Sequence, residues 1–214
     1  MNKVRSFRDP ARLAAWSRSV LVLQIALAVS AMAVAMLFGS GFNAAAGGSD
    51  LYHLIQLVML LFFVLGGGVV LRWIYVANAN AHALGAEGMA TSPALAVGWY
   101  FLPIANLVLP YQSMREIWKA SGPERDWEAA PSSPWIFWWW MFWLLSCIAS
   151  ILSNRLAEYS YEEDMLRITE ALAILSDLAL IPASLLLMRI VGRITGMQRV
   201  RVFGARRERI DGRG

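Results

Sequence analysis

Long runs of apolar residues, separated by shorter polar stretches, dominate the chain. Four of these runs reach the roughly 20 residues that an α-helix needs to cross the hydrocarbon core of a bilayer. Inside hydrocarbon the backbone N–H and C=O groups must be paired within the segment itself, so each run predicts a transmembrane helix. The pattern therefore predicts an all-α fold, a polytopic transmembrane helical bundle with spans at about residues 19–38, 51–76, 135–153 and 171–191.

A fifth apolar run, residues 94–111, is shorter and carries polar and helix-breaking residues. Pro103 and Pro110 each remove a backbone hydrogen bond, and Asn106 is costly in hydrocarbon unless its amide has a partner. The run predicts a kinked span, a re-entrant segment or an interfacial segment. Residues 111–121, which follow, have an apolar face and a charged face at helical spacing, and they predict a short amphipathic helix at the membrane surface.

The basic residues decide how many times the chain crosses the membrane. If residues 94–111 do not cross, 17 of the 19 Lys and Arg residues lie on one side, and only Arg155 and Arg167 lie on the other. Because cytoplasmic segments are enriched in Lys and Arg, this distribution favours four crossings over five and predicts that both termini are cytoplasmic. The predicted divisions are a basic N-terminal tail at 1–18, a transmembrane helical domain at 19–192 and a basic C-terminal tail at 193–214.

The composition agrees with a membrane protein, since 58% of the residues are hydrophobic, 16% are charged and the mean hydropathy is +0.50. The net charge of +4 would also suit nucleic acid, but the basic residues flank apolar runs and no nucleic-acid-reading motif accompanies them. We therefore expect the lipid bilayer to be the main partner, with anionic headgroups bound by the basic tails, and we expect no nucleic acid.

The sequence offers little chemistry for a catalytic or metal site. Cys147 is the single cysteine, which excludes a disulfide within the chain, and His53 and His82 stand alone. The usual motifs of nucleophilic and metal-dependent catalysis do not occur. We therefore expect no metal, no cofactor and no enzymatic activity.

The spanning runs contain several residues with a specific expected role. Asp177 lies within the fourth span, where a carboxylate is costly and suggests either a proton or cation pathway or a structural clamp between helices. Pro182 is expected to kink the same helix, and the glycines at 66–68 would let another helix approach closely. The Trp residues that open the third span, predicted as anchors at the membrane interface, are Trp135, Trp138, Trp139, Trp140 and Trp143.

The middle of the chain contains a distinctive series of motifs. RWIYVANANAHALG at residues 72–85 is followed by VGWYFLPIANLVLPYQ at 97–112 and MREIWKAS at 114–121. This order resembles a family of bacterial membrane proteins defined by the domain of unknown function DUF4328, over about residues 50–195. The resemblance implies a multi-span protein of the bacterial inner membrane with no assigned activity, and it implies no catalytic residues. Val76 departs from the family pattern, in which a polar residue is expected at this position.

The residues that carry the resemblance gather on and around the fifth apolar run. If that run is re-entrant, their polar side chains converge near the inner face of the membrane, where they form either a structural cluster or a ligand or ion site. Together with Asp177, the candidate residues are Asn78, Asn80, Asn106, Gln112 and Arg115.

Three functions fit these features. The first is a membrane scaffold or regulatory interaction protein that binds its partners, further copies of itself or another membrane protein, through helix packing and its basic tails. The second is a small oligomeric transporter or channel component that uses Asp177 and Asn106. The third is an enzyme acting on lipid, for which the sequence offers no nucleophile–base pair. The sequence favours the first.

Overall fold

The computed structural model describes residues 7–46, 50–124, 126–157 and 163–211. Within these ranges the regular elements are all helical, and no strand occurs. The expectation of an all-α fold is confirmed. Six α-helices follow in chain order: α1 Ala11–Ala46, α2 Asp50–Ala83, α3 Pro93–Gly98, α4 Leu109–Ser121, α5 Pro134–Ala157 and α6 Glu163–Asp211.

Four of these helices, α1, α2, α5 and α6, are long and apolar enough to cross a membrane, as expected. Their surfaces expose large apolar side chains, among them Phe63 and Leu65 on α2, which are 65% and 70% exposed. Water disfavours a contiguous apolar surface of this kind, whereas lipid tails accommodate it. The apolar stretches within the helices are Ala11–Ser30, Leu57–Ala83, Pro134–Ala157 and Asp164–Gly204.

Helix α6 is longer than a membrane requires. Its 49 residues extend about 74 Å at the rise of an α-helix, whereas the hydrocarbon core is about 30 Å thick. The helix does not stop near residue 191, where the apolar run ends, but continues to Asp211, and Pro182 lies within it without interrupting it. The basic segment that follows the last apolar run is therefore helical up to Asp211.

The fifth apolar run is divided into short pieces, which are α3, two 3₁₀ turns at Trp99–Phe101 and Ala105–Leu107, and α4. The break falls at Leu102, whose φ of −103° and ψ of 115° are extended, because the ring of Pro103 disfavours helical geometry in the residue before it. Pro110 lies in the first turn of α4, where a missing N–H costs nothing. The run is therefore kinked and is not one straight helix.

The C-terminal end of α2 is fixed by a glycine cap. Gly85 has a positive φ of 89°, and its N–H donates to the carbonyl oxygen of His82 over 3.2 Å. The N–H of Ala86 donates to the carbonyl oxygen of Ala81, also over 3.2 Å. This pair of bonds is a Schellman motif, which needs a residue that tolerates the left-handed conformation at the position of Gly85. The cap ends α2 at a defined residue and turns the chain towards α3.

The chain divides into two compact units. The first unit consists of Met1–Arg18, Gly68–Phe137 and Leu187–Gly214, and the second consists of Ser19–Gly67 and Trp138–Leu186. The first unit therefore contains α3, α4 and the kinked segment, together with the C-terminal parts of α2 and α6.

Of the three glycines predicted to allow close helix packing, Gly66 alone has a close neighbour among the described residues. A Cβ at Gly66 would lie 2.5 Å from Cγ1 of Val20 on α1, whereas a Cβ at Gly67 would meet nothing within 4 Å. Helices α1 and α2 therefore approach closely at Gly66 because this position has no side chain.

Serine hydroxyls link α5 and α6 in the second unit. Ser176 Oγ donates to the carbonyl oxygen of Ser146 over 3.0 Å, and the two hydroxyl oxygens lie 3.2 Å apart. Nearer the end of α5, Ser153 Oγ donates to the carbonyl oxygen of Thr169 over 2.9 Å. Short polar side chains such as these let two helices pack closely and hydrogen-bond across the contact.

The contact between α5 and α6 is testable with a single disulfide. In a Cys147→Ala background, the pair Ser146→Cys and Ser176→Cys is expected to cross-link on mild oxidation, because the native hydroxyl oxygens lie 3.2 Å apart and a disulfide needs side chains this close. The measurement is a mobility shift on a non-reducing gel. The pair Ser146→Cys and Ser184→Cys is the control, since residue 184 lies about 12 Å further along α6. Equal cross-linking of both pairs would contradict the packing.

Candidate functional site

One polar network of the first unit is built around Asn80, near the C-terminal end of α2. Its Nδ2 donates to the carbonyl oxygen of Arg8 over 2.8 Å, and its Oδ1 accepts from the N–H of Arg8 over 2.9 Å. Nδ2 also donates to Oε1 of Gln198 on α6 over 3.1 Å. Asn80 is 1% exposed. A single amide thus fixes the segment that precedes α1 against α2 and α6.

Gln198 extends this network to α4. Its Nε2 donates to the carbonyl oxygen of Ala77 over 2.8 Å and to Oγ of Ser121 over 2.9 Å. The hydroxyl of Ser121 in turn donates to the carbonyl oxygen of Ile117 over 2.6 Å. Gln198 is fully buried, and an unsatisfied amide at such a position would be costly. One side chain of α6 therefore holds both α2 and α4.

Arg201 lies one turn further along α6 and binds the ends of two helices. Its Nη1 donates to the carbonyl oxygen of Ala120 over 2.8 Å, and its Nη2 donates to that of Leu84 over 3.0 Å. Carbonyl groups at the C-terminal end of a helix lack partners within the helix and carry partial negative charge. A guanidinium is well suited to both carbonyls, because its planar N–H groups donate in different directions.

A second polar cluster fixes the segment that leads into α3. The carboxylate of Glu116 on α4 accepts from the N–H groups of Ala90 and Thr91 over 3.0 and 3.1 Å. The carbonyl oxygen of Thr91 accepts from Nδ2 of Asn78 over 3.1 Å, and Nε2 of His82 lies 3.3 Å from it. The turn between α2 and α3 is thus bound by side chains from both α2 and α4.

The structure separates residues that the sequence placed in one cluster. Asn78 and Asn80 are two positions apart on a helix and therefore point about 160° apart around its axis, which is why one binds Thr91 and the other binds Arg8 and Gln198. Both asparagines support neighbouring backbone rather than one common site. Asp177 lies on the part of α6 that belongs to the second unit, where it is half-buried.

Asn106 and Tyr100 belong to the kinked segment. The backbone N–H of Asn106 donates to the carbonyl oxygen of Leu102 over 2.7 Å. Its Oδ1 is enclosed and has no hydrogen-bond partner among the described residues. Burial raises the pKa of the Tyr100 phenol well above its ordinary value, so this hydroxyl stays protonated at physiological pH. The segment therefore presents neutral polar groups.

Gln112 and Arg115, the two remaining candidates, lie on α4. Both line a groove on the polar face of this helix. The guanidinium carbon of Arg115 lies 5.5 Å from the centroid of the Tyr111 ring, a distance typical of a cation–π contact. No group of three or more His, Cys, Asp or Glu residues that could hold a metal occurs in the described part of the chain.

The predicted interface tryptophans differ in their surroundings. Trp135 and Trp138 are 38% and 53% exposed, as an anchor at the membrane surface requires. Trp139 and Trp140 are 3% and 1% exposed, so their rings pack inside the protein. Trp143 stacks on Trp140 with ring centroids 4.6 Å apart. Trp135 also makes an edge contact with the ring of Trp118 at 6.2 Å.

Sequence reasoning did not single out Gln198, Ser121, Glu116 or Thr91, and it counted Arg201 only as part of a basic tail. A signal for Gln198 was present, because Ile190, Ile194 and Gln198 recur every fourth residue and all three are fully buried. The apolar face of α6 thus continues into the basic segment and ends in a buried amide. The helical spacing of buried positions, continued past residue 191, predicts that Gln198 is buried.

Four apolar helices of spanning length define a polytopic α-helical membrane protein. The family model of the domain of unknown function DUF4328 matches residues 38–196, so the chain belongs to this family. This confirms the resemblance seen in the central motifs. No curated protein and no solved structure matches the chain significantly.

Replacing Gln198 tests whether the network holds the first unit together. Gln198→Leu introduces an apolar side chain of similar size and removes the hydrogen bonds to Asn80, Ala77 and Ser121. We expect the free energy of unfolding in detergent to fall by about 1–3 kcal/mol, because buried polar groups lose their partner. Thermal unfolding followed by circular dichroism measures the change.

The control for this substitution is Gln112→Leu, the same exchange at an exposed position of the same unit. The thermal unfolding midpoint of Gln112→Leu is expected to stay close to that of the wild type, because surface substitutions away from buried networks change stability little. Equal midpoints for Gln198→Leu and Gln112→Leu would contradict a structural role of the network.

Proposed function

We propose that this membrane protein is a scaffold or regulatory interaction protein without enzymatic activity of its own, and that the basic C-terminal part of α6 recruits a partner. The observation that carries this proposal is the length of α6, which continues as a helix to Asp211, beyond the hydrogen bonds of Arg201 to the ends of α2 and α4. A helix that extends past such an anchoring point can serve as a recognition element for another molecule.

The hydrogen-bond partners of the polar side chains in the first unit support the same proposal. Asn80, Gln198, Arg201 and Glu116 all hydrogen-bond to the backbone of the chain itself. A catalytic acid, base or nucleophile must reach a substrate atom at hydrogen-bond distance, whereas these side chains are occupied in holding helix ends and turns. Their arrangement suits a rigid platform.

The C-terminal part of α6, from Val200 onward, combines apolar and basic residues. Val200 and Phe203 are 71% and 56% exposed, and the sequence continues with Arg206, Arg207 and Arg209. A helix of this composition suits an acidic protein surface, with the apolar side chains supplying contact area and the arginines supplying charge complementarity. The partner is a further membrane protein or a second copy of the chain.

The charge distribution supports a location in a bacterial inner membrane with both termini in the cytoplasm. The hydrogen-bond network of the first unit joins the N-terminal segment, the middle region and the C-terminal segment, through Arg8, Asn80, Ser121 and Gln198. Segments that bond to one another lie on the same side of the membrane, which agrees with an even number of crossings between them. The kinked run then remains on the cytoplasmic side and does not cross.

Reporter fusions test this topology. Fusions after Ala90, Glu128, Glu162 and Gly214 are made with a reporter that is active only outside the cytoplasm. Only the fusion after Glu162 is expected to be active, because it lies in the acidic stretch of sequence between the last two spans, which contains Glu158, Glu162, Glu163 and Asp164. A complementary reporter that is active only in the cytoplasm should give the opposite pattern. Activity of the external reporter after Glu128 would show that the kinked run crosses.

Truncation tests the interaction. A chain that ends after Gly204 keeps Arg201 but loses Arg206, Arg207 and Arg209. We expect its cross-linking in intact membranes to a reproducible partner, or to a second copy, to fall several-fold. The matched control is the triple variant Arg206→Lys, Arg207→Lys and Arg209→Lys, which keeps the charge and is expected to retain most cross-linking. A full-length chain that yields neither a reproducible partner nor self-association would overturn the proposal.

A further inference from the structure

A groove of about 210 Å³ runs along the polar face of α4. Four of its lining residues come from α4 at positions i, i+3, i+4 and i+7, which lie on one face of a helix. Two come from the loop before α5 and form the far wall. The lining residues are Gln112, Arg115, Glu116, Lys119, Trp127 and Glu128. The volume is smaller than that of most drug-sized pockets, which suits a headgroup.

The walls of the groove are fixed by hydrogen bonds to the backbone. Both carboxylate oxygens of Glu116 accept from backbone N–H groups of the turn between α2 and α3. Trp127 Nε1 donates to the carbonyl oxygen of Glu87 over 2.9 Å, which fixes the plane of the indole. Lys119 Nζ donates to the carbonyl oxygen of Glu128 over 2.9 Å and thereby joins the two walls. A groove fixed in this way is organised before a ligand enters.

The α4 wall of the groove retains hydrogen-bond donors for an anion. Nε of Arg115 is enclosed and has no hydrogen-bond partner in the part of the chain that the structure describes. A guanidinium has five N–H donors, and an ammonium has three, of which Lys119 uses one on Glu128. Arginine with a neighbouring lysine is the usual donor set for a phosphate group.

The loop wall of the groove suits a cation. Trp127 contributes an indole and Glu128 contributes a carboxylate to this lining, and Oε1 of Glu128 would lie 3.3 Å from a Cβ at Gly88. An aromatic face beside a carboxylate is a favourable environment for an ammonium group. The groove thus pairs two cationic side chains with two carboxylates, and this balance complements a ligand that carries one phosphate and one ammonium.

Exposed apolar residues lie in the kinked segment that leads into α4. Phe101, Ile104 and Val108 are 70%, 86% and 50% exposed. The carbonyl oxygen of Val108 accepts from the N–H of Gln112 over 3.2 Å, which places Val108 one turn before a residue of the groove. Apolar residues exposed beside a polar groove suit an amphiphile better than a freely soluble ion. The apolar chains of the ligand would lie along these residues.

We propose that this groove binds the zwitterionic headgroup of a phospholipid, with the phosphodiester at Arg115 and Lys119 and the ammonium between Trp127 and Glu128. The site is separate from the recruiting helix of the proposed function, and neither depends on the other.

Lipid retention by the detergent-purified full chain tests this site. Short-chain phosphatidylethanolamine is added, and the bound fraction is measured by native mass spectrometry. The wild type is expected to bind it more tightly than phosphatidylglycerol, which carries the phosphate but no ammonium. Arg115→Gln is expected to weaken binding about tenfold through loss of charge-assisted hydrogen bonds, and Glu128→Gln is expected to reduce the preference for the ammonium headgroup.

The matched control is Arg72→Gln. Arg72 is exposed in the same unit and also lies over a tyrosine ring, 5.2 Å from that of Tyr75, but it does not line the groove. Thermal unfolding of each variant shows that it is folded, and Lys119→Gln replaces Arg115→Gln if the latter unfolds. Equal retention by Arg115→Gln and the control, or equal binding of the two lipids, would overturn the proposal. Competition by glycerophosphoethanolamine without acyl chains, at the same concentration as the lipid, would overturn the lipid assignment.

Discussion

The constraint on which the first unit depends is that the backbone carbonyls at the ends of two helices must be satisfied inside the protein. Helices α2 and α4 both end there, and the last carbonyls of a helix have no partner within it. Helix α6 supplies that partner with Arg201, which binds the carbonyl oxygens of Ala120 and Leu84. Gln198, one turn earlier, binds the carbonyl oxygen of Ala77 and the hydroxyl of Ser121. The basic end of α6 is therefore part of the fold and not merely a topological signal.

This arrangement explains why α6 remains helical beyond its apolar run. The buried face of α6 continues past residue 191 through Ile194 to Gln198, and an isolated basic helix of this length is marginal in water. Tertiary contacts at Gln198 and Arg201 hold the first turns beyond residue 191 in place, and the helix propagates from them because arginine is a good helix former. Glycines at positions 192, 196 and 204 do not end it.

The coarse fold was predictable from the sequence because apolar runs of spanning length are a strong and local signal. The break in the fifth run was also predictable, since Pro103 restricts Leu102 directly. The hydrogen-bond network was not predictable, because its bonds join residues such as Asn80 and Gln198 that are more than a hundred positions apart. A glutamine in a basic tail is ordinarily expected to be exposed to solvent. The asparagines of α2 were recognised as unusual, but their spacing sends them to different partners, which a shared motif does not reveal.

The position of α4 links the two features of the first unit. Its polar face forms the groove, its C-terminal end carries the Ala120 carbonyl and the Ser121 hydroxyl that α6 binds, and Glu116 holds it to the turn after α2. A ligand shifts an equilibrium only by its differential affinity for the states involved. A headgroup bound between Arg115 and Glu128 would favour the docked position of α4, and with it the contacts that hold Gln198 and Arg201. Helix α4 therefore connects the groove directly to the contact with α6, because Lys119 in the groove and Ala120 at that contact are adjacent residues.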